Sequence, residues 1–330
     1  MAFLTFWASP ITYKNMRNFK LIIVSITILS FCLKAAAQQT TPDTGKTTKV
    51  AKSLFVNAGL TYLSNLTYAG RKDITSVPVI LPTLTLISTK GFFLNAIGYF
   101  DVNGSNSQTE GLSVTPGYVF SFDKSKEYGG AISATKYFIT DASPIILSSF
   151  NATIDGQLYI NPDKVVKLTV AGSYRFDKNN SNDIVNDAEL SKEIWLLKTG
   201  PKKTDGLKIT PDAMLFAGTQ SFYQTYYSNS EVQQEITTPA NNNSPINILF
   251  PNQPKQTIID KTVTTEKQEE VRKYTLLALS GSAQLTYVIK TWQINFTPYF
   301  IKPFNQVDYT SNTSQNGLYF LFTTGVSVTF

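Results

Sequence analysis

Few residues in this chain could perform acid–base or nucleophilic chemistry. Its 330 residues include no histidine and a single cysteine, Cys32. Histidine is the usual general base near neutral pH, and imidazole and thiolate are the usual ligands of zinc. We therefore expect no enzymatic activity, no metal and no cofactor. Catalysis by carboxylates alone stays open, with Asp155 and Asp212 as the candidates.

These two carboxylates belong to a larger charged set on the polar faces of alternating segments. Successive side chains of a strand point to opposite faces, so every second residue shares a face. Six candidates for lining the interior of a barrel follow from this pattern: Asp101, Asp155, Lys167, Arg175, Lys208 and Asp212. Their mixed signs argue against a strong ion preference, which requires rings of one charge.

The last fourteen residues, 317–330, show the alternation most clearly. One face carries Leu318, Phe320, Phe322, Thr324, Val326 and Val328, and the other is richer in Gly, Thr and Ser. In a transmembrane barrel one face of each strand meets lipid and the other a wet lumen, and a spanning strand needs about 9–11 residues. The pattern predicts a spanning strand that ends at Phe330.

Similar segments and turns alternate through the rest of the chain. The predicted strands are Ser53–Ser64, Val79–Ser88, Gly91–Asn103, Glu110–Phe122, Glu127–Ile139, Ile146–Ile160, Val165–Phe176, Lys208–Tyr227, Tyr274–Ile289, Thr291–Ile301 and Gly317–Phe330. Both ends of such a barrel lie in the periplasm, where the turns are short. This parity requires one more strand, for which Ala188–Lys198 is the only candidate. We predict an all-β, antiparallel up-and-down barrel of about 12 strands over 53–330, with 10 or 14 as alternatives.

The start of the chain has the pattern of an export signal. A basic stretch, 16–20, precedes an apolar run of about thirteen residues and then Ala35–Ala37. Such a run suits a signal-peptide core and is too short to span about 30 Å of hydrocarbon. We expect a signal peptide over 1–37, with 1–15 as an upstream extension or an over-long start, and a disordered periplasmic lead-in over 38–52.

Cleavage after residue 37 would change the composition. Cys32 would be lost, and the formal charge would fall from +6 to +2 because four basic residues and no acid leave. The basic composition therefore reflects export, and we expect no nucleic-acid partner.

The end of the chain resembles the signal by which outer-membrane barrels are handed to the barrel assembly machinery. Its polar position, its glycine position and its two terminal apolar positions are filled by Thr323, Gly325, Val328 and Phe330. As a whole the chain resembles a porin-like outer-membrane β-barrel of a Gram-negative bacterium, without a specific family. The resemblance implies outer-membrane localisation, contact with outer-membrane lipid, and the assembly machinery as a partner during biogenesis. Known enzymes of this class depend on histidine, which this chain lacks.

Two functions remain open at this point. The first is a passive, porin-like channel for small hydrophilic solutes. The second is a non-conducting surface or interaction barrel, such as an adhesin or a membrane partner of a secretion or envelope-assembly system. A soluble β-sandwich or lipocalin-like barrel is disfavoured, because its inward faces would be apolar. Eight strands leave a filled interior and sixteen a channel, so twelve do not decide between an open and a filled lumen.

The long outer loop predicted at 228–271 carries an apolar tip. Its residues Ile246, Ile248, Leu249 and Phe250 interrupt a sequence rich in Asn, Gln, Thr and Pro. We interpret the tip either as a constriction or partner contact, since long loops are often functional, or as a segment buried against other outer loops.

Overall fold

The chain forms a closed antiparallel barrel of twelve spanning strands. The computed structural model describes residues 53–72, 76–102, 108–141, 143–178, 182–201, 203–222, 265–307 and 317–330. The strands are β1 Leu54–Leu63, β2 Thr67–Tyr68, β3 Arg71–Lys72, β4 Val79–Ser88, β5 Phe92–Asp101, β6 Gln108–Ser121, β7 Tyr128–Ile139, β8 Phe150–Ile160, β9 Lys167–Asp177, β10 Asp183–Ser191, β11 Ile194–Thr199, β12 Asp205–Gly218, β13 Thr275–Ile289, β14 Trp292–Pro303 and β15 Tyr319–Thr329. Helix α1 covers Thr265–Arg272.

Two pairings close the sheet into a barrel. The first strand, β1, pairs with β15, and β10 pairs with β12. After a break at Lys192 and Glu193, β11 continues β10 and pairs with the remaining part of β12. We count β10 and β11 as one interrupted strand, and β2 and β3 form a separate hairpin. The twelve spanning strands and the up-and-down order confirm the predicted fold class.

Short and long connections lie at opposite ends of the barrel. The turns that join β4 to β5, β6 to β7, β8 to β9, β11 to β12 and β13 to β14 lie at the end where β1 begins and β15 finishes. We call this the turn end and the opposite one the loop end. At the loop end the connections include 64–78, 140–149, 219–274 and 304–318. This arrangement is the one that the parity argument predicted.

Side-chain hydrogen bonds stabilise one of the short turns. In the turn between β6 and β7, the Asp123 carboxylate accepts the Ser125 hydroxyl and the N–H groups of Tyr128 at 2.9 Å and Glu127 at 3.2 Å. These bonds, with that of Ser125 the strongest, lower the pKa of Asp123 to about 2. A carboxylate held in this way favours the tight reversal of the chain.

Three strand predictions need correction in their bounds. Residues Ile146–Ser149 form a buried 3-10 turn instead of the start of β8, because their apolar side chains fold into the barrel. Strand β12 ends at Gly218 and not at Tyr227. The Asp183 carboxylate accepts the N–H groups of Ser221 at 2.8 Å and Phe222 at 2.6 Å and turns the chain inward. The strand predicted at Ala188–Lys198 begins earlier, at Asp183, and is interrupted at Lys192 and Glu193.

No helix among the described residues is long and apolar enough to cross a membrane.

Candidate functional site: the lumen and its mouth

The outer wall of the barrel is apolar and exposed. Large apolar side chains that are between 42 and 58% exposed occur on strands all around it: Leu60, Leu94, Ile132, Ile154, Leu158, Val170, Leu190, Leu215, Leu279, Ile294 and Phe320. A soluble barrel would bury such residues, whereas a transmembrane barrel presents them to hydrocarbon. Closure leaves no sheet edge facing that hydrocarbon. The architecture is that of an outer-membrane β-barrel.

Aromatic side chains on this outer wall concentrate near its two ends. Phe92, Tyr128, Tyr287 and Trp292 lie towards the turn end, and Phe138, Tyr174, Phe300 and Phe320 towards the loop end. Amphipathic rings favour the headgroup level of a bilayer, so the two groups match the girdles of a spanning barrel.

The inward face is polar over the middle of the barrel. Three cross-strand hydrogen bonds join inward side chains: Asn57 to Thr329 at 2.9 Å, Thr85 to Asn95 at 3.0 Å, and Thr115 to Thr135 at 3.0 Å. Buried polar groups need such partners or water. The same alternation that makes the outside apolar therefore produces a hydrophilic interior.

Four of the six predicted lining residues face this polar interior. Asp155 accepts hydrogen bonds from Thr153 at 2.9 Å and from Ser173, and Asp212 accepts one from Ser282. Lys167 and Lys208 lie nearer the turn end, where Lys208 Nζ is 2.7 Å from the Glu193 carboxylate. Their role in lining a conducting path stays a prediction.

Asp155 and Asp212 lie on strands that are not neighbours in the barrel wall. Strands β9 and β10 separate β8 from β12, which puts the two backbones roughly 14 Å apart along the wall at three interstrand spacings. Two carboxylates that share acid–base work lie closer together, at about 5–9 Å. In the described part of the chain, no group of three or more His, Cys, Asp or Glu is placed to hold a metal ion.

Sequence reasoning missed two carboxylates in the same interior. Asp187 and Glu189 lie two residues apart on β10 and therefore share a face. Asp187 precedes the predicted start of this strand at residue 188. The two carboxylates interact electrostatically with each other and with Asp155 and Asp212. None of the four forms a salt bridge with a described Lys or Arg. The structure therefore concentrates acids in mid-barrel, although the chain carries both signs.

The other two predicted lining residues lie in a buried layer at the loop end. Asp101 is 8% exposed and Arg175 is 2% exposed. The layer, which we call the mouth layer, consists of Leu66, Ala69, Val77, Val79, Tyr99, Ile139, Ile145, Ile146, Leu147, Phe150, Val185, Phe222 and Leu277. It combines barrel-wall residues with residues from three loop-end connections that fold inward. Apolar side chains packed in this way exclude water from the layer that they form.

Arg175 enters the mouth layer from the wall and meets an aromatic cage. Its guanidinium carbon lies 3.4 Å from the centre of the Tyr68 ring, 5.0 Å from that of Phe150 and 5.6 Å from that of Phe222. The three rings pack edge to face with one another. Nε and Nη1 of Arg175 have no hydrogen-bond partner in the described part of the chain. Cation–π contact therefore holds the guanidinium, together with electrostatic attraction to Asp183 and Asp187.

A second arginine, Arg71, fixes the hairpin of β2 and β3 to the wall and to two other connections. Nη1 donates to the Leu277 carbonyl at 2.8 Å, and Nη2 donates to the Phe304 carbonyl at 2.7 Å. Nε and Nη2 both donate to Gln220 Oε1, at 3.2 and 3.0 Å. The side chain is fully buried. Sequence reasoning did not find Arg71 or the cage, because a hairpin that folds inward has no alternation to mark it.

The remaining predicted residues divide into two groups. The loop-tip residues Ile246, Ile248, Leu249 and Phe250 lie outside the described residues. The four residues of the assembly signal lie on β15 and at its end, where Thr323 and Gly325 face inward and Val328 and Phe330 outward. Phe330 donates its N–H to the Val56 carbonyl at 2.9 Å. Recognition of this segment by the assembly machinery stays a prediction.

Solved structures of other barrels show a distant likeness to this chain. The KdgM porin is 9% identical, with a TM-score of 0.43, and the match covers 84% of this chain and 99% of that one. The COG4313 outer membrane channel from Pseudomonas putida F1 is 9% identical, with a TM-score of 0.44 and coverage of 88% and 100%. No protein-family model and no curated protein matches the sequence. Likeness at this level assigns neither a solute nor a mechanism.

Proposed function

We propose that this protein is a passive channel of the bacterial outer membrane for small hydrophilic solutes, closed at its mouth in the conformation described. The polar inward face carries this proposal. Hydrogen-bonding and charged side chains line the interior on many strands below the mouth layer, including Asp155, Lys208 and Asp212. A barrel that used its interior only as a core would place apolar side chains there.

A second candidate, a non-conducting interaction barrel, is favoured by the mouth layer. Its apolar side chains are 8% exposed or less. If this layer never opens, the polar interior is a filled or blind space and the function lies in the outer loops. The two candidates therefore differ in whether the mouth layer can move.

Ion conductance in a planar bilayer distinguishes them. The chain from Gln38 onward would be refolded, checked for its heat-dependent shift on a gel, and reconstituted. Discrete current steps that scale with salt concentration support the channel, and added hydrophilic solutes should then block them. A folded barrel that stays silent at all voltages contradicts the channel and directs attention to partners of residues 228–271.

Outer-membrane localisation belongs to the same proposal. The exposed apolar wall needs a bilayer, and the predicted signal peptide supplies the route of export. Fractionation of expressing cells tests it: the processed protein should appear in the outer membrane, and recovery in the soluble periplasmic fraction contradicts it.

A further inference from the structure

We infer that the hairpin Thr67–Lys72, here called the mouth hairpin, is a displaceable stopper that closes the lumen. It is held by Arg175 stacking on Tyr68 and by Arg71 bonding to the wall and to neighbouring connections. The inference deepens the proposed channel function and rests on it.

The mouth hairpin can leave without breaking the barrel. It consists of two residue pairs, Thr67 opposite Lys72 and Tyr68 opposite Arg71. It forms a two-stranded sheet of its own and shares no ladder with the barrel. So short a ladder is marginal by itself, so its position depends on side-chain contacts. Displacement therefore costs those contacts and leaves every pair of the barrel intact.

The contact between Arg175 and Tyr68 is suited to reversible closure. In the closed state the guanidinium stacks on the ring, while Nε and Nη1 stay without partners in the described part of the chain. Opening would remove the stacking and would admit water to these N–H groups. Because buried donors without partners are costly, hydration offsets part of the lost contact. The closed state is thus held, but not irreversibly.

Gly70 lets the tip of the mouth hairpin lie directly against β13. Its φ is +75°, and a Cβ added there would lie 2.1 Å from the Cβ of Ala278. Any larger residue at position 70 must push the tip away from the wall, and the positive φ adds strain. Position 70 therefore offers a way to displace the hairpin without changing any residue of the lumen.

The test uses Gly70→Val, with Gly156→Val as the matched control. A Cβ at Gly156 would meet nothing within 4 Å, so the control adds the same side chain without a clash. Each variant also carries Val79→Cys, because Val79 is fully buried in the mouth layer. The barrel is purified from outer membranes of cells that express the full chain. Its mass confirms the loss of Cys32, which leaves the introduced thiol as the only one.

Two readouts separate the inference from the function on which it rests. We expect Gly70→Val to speed thiol labelling by a water-soluble reagent by about tenfold or more, and to raise bilayer conductance. Gly156→Val should change neither. Faster labelling in a silent barrel overturns the channel and leaves the displaceable hairpin standing. Unchanged labelling in a folded Gly70→Val barrel overturns the hairpin inference, whatever the conductance.

A second variant covers the case in which Gly70→Val does not fold. Tyr68→Ala removes the ring beneath Arg175 and adds no bulk. It should also speed labelling of Val79→Cys, and an unchanged rate in this folded variant overturns the inference equally.

Discussion

Replacing Arg71 with methionine should release the mouth hairpin while leaving the barrel folded. Methionine keeps an unbranched apolar stem and removes the guanidinium. That guanidinium binds the Leu277 and Phe304 carbonyls and Gln220 Oε1 at distances between 2.7 and 3.2 Å. All the acceptors lie outside the hairpin, so these bonds fasten it to the rest of the molecule.

The size of the effect follows from burial. Hydrogen bonds to a charged group contribute about 1.5–3 kcal/mol each, but the cost of burying the charge offsets much of that gain. Leaving a buried neutral acceptor without a partner costs about 1–3 kcal/mol, and removal of the guanidinium also relieves the cost of burying its charge. At about 1.4 kcal/mol per factor of ten, a net loss of about 1.5–3 kcal/mol should raise the detached population by one to two orders of magnitude.

Amide hydrogen exchange measures this population. The Leu66 N–H bonds the Val77 carbonyl at 3.1 Å at the base of the hairpin, and its protection should fall by the same factor. Amides in the middle of β13 should keep theirs. Arg272→Met, at an exposed position, serves as the matched control, and Arg71→Lys should be intermediate because an ammonium cannot reproduce the fork. Unchanged protection of Leu66 in Arg71→Met would refute the fastening role.

Four further predictions concern the barrel, its turns and its lumen. Gly325→Val should lower the free energy of unfolding by about 1–3 kcal/mol, because a Cβ at position 325 would lie 2.8 Å from Thr61 Oγ1. The melting temperature from the gel shift measures this loss, with Gly281→Val as the control. Deleting Phe330 should reduce outer-membrane levels in cells while refolding in detergent persists. The Asp123 carboxyl should titrate with a pKa near 2 by NMR, and a midpoint near pH 4 contradicts this. Its contribution to turn stability is therefore fully present above pH 3.8 and is lost as the pH falls through about 2. If the barrel conducts, Asp187→Asn with Glu189→Gln should lower the ratio of cation to anion permeability by about two- to threefold at low salt.

A control variant and two contrary outcomes sharpen three of these tests. Gly281→Val adds the same side chain where the nearest atom is the Asp212 carbonyl oxygen at 4.0 Å, so its melting temperature should stay unchanged. If Phe330 deletion also abolishes refolding in detergent, the residue acts through stability and not through recognition. Equal permeability ratios before and after neutralisation would mean that the permeation path avoids β10.

Strand number and orientation could be predicted from the sequence because a spanning strand has a strict period of two. The predicted bounds of β4 match the structure, and the parity of short turns required the strand that forms β10 and β11. The same period separates outward residues such as Ile154 from inward ones such as Asp155. Each of these inferences depends only on residues close together in the chain.

The mouth could not be predicted in the same way. Tyr68, Phe150, Arg175 and Phe222 come from four separate parts of the chain, and only barrel closure brings them together. Residues Ile146–Ser149 extend the apolar pattern of β8, so an inward fold and a longer strand look alike in sequence. Alternation places Arg175 on the inward face, but its burial under aromatic rings depends on a hairpin more than 100 residues earlier in the chain.

The sequence by itself determined a histidine-free barrel with an apolar outside, a polar inside and about twelve strands, since alternation and composition are local properties. Only the tertiary structure decided that a buried apolar layer forms at the loop end, that acids gather in mid-barrel and that two arginines contact the mouth hairpin and its surroundings. Those features depend on which side chains meet across the lumen. Such contacts follow from the register and closure of the whole sheet, which no single segment of the sequence encodes.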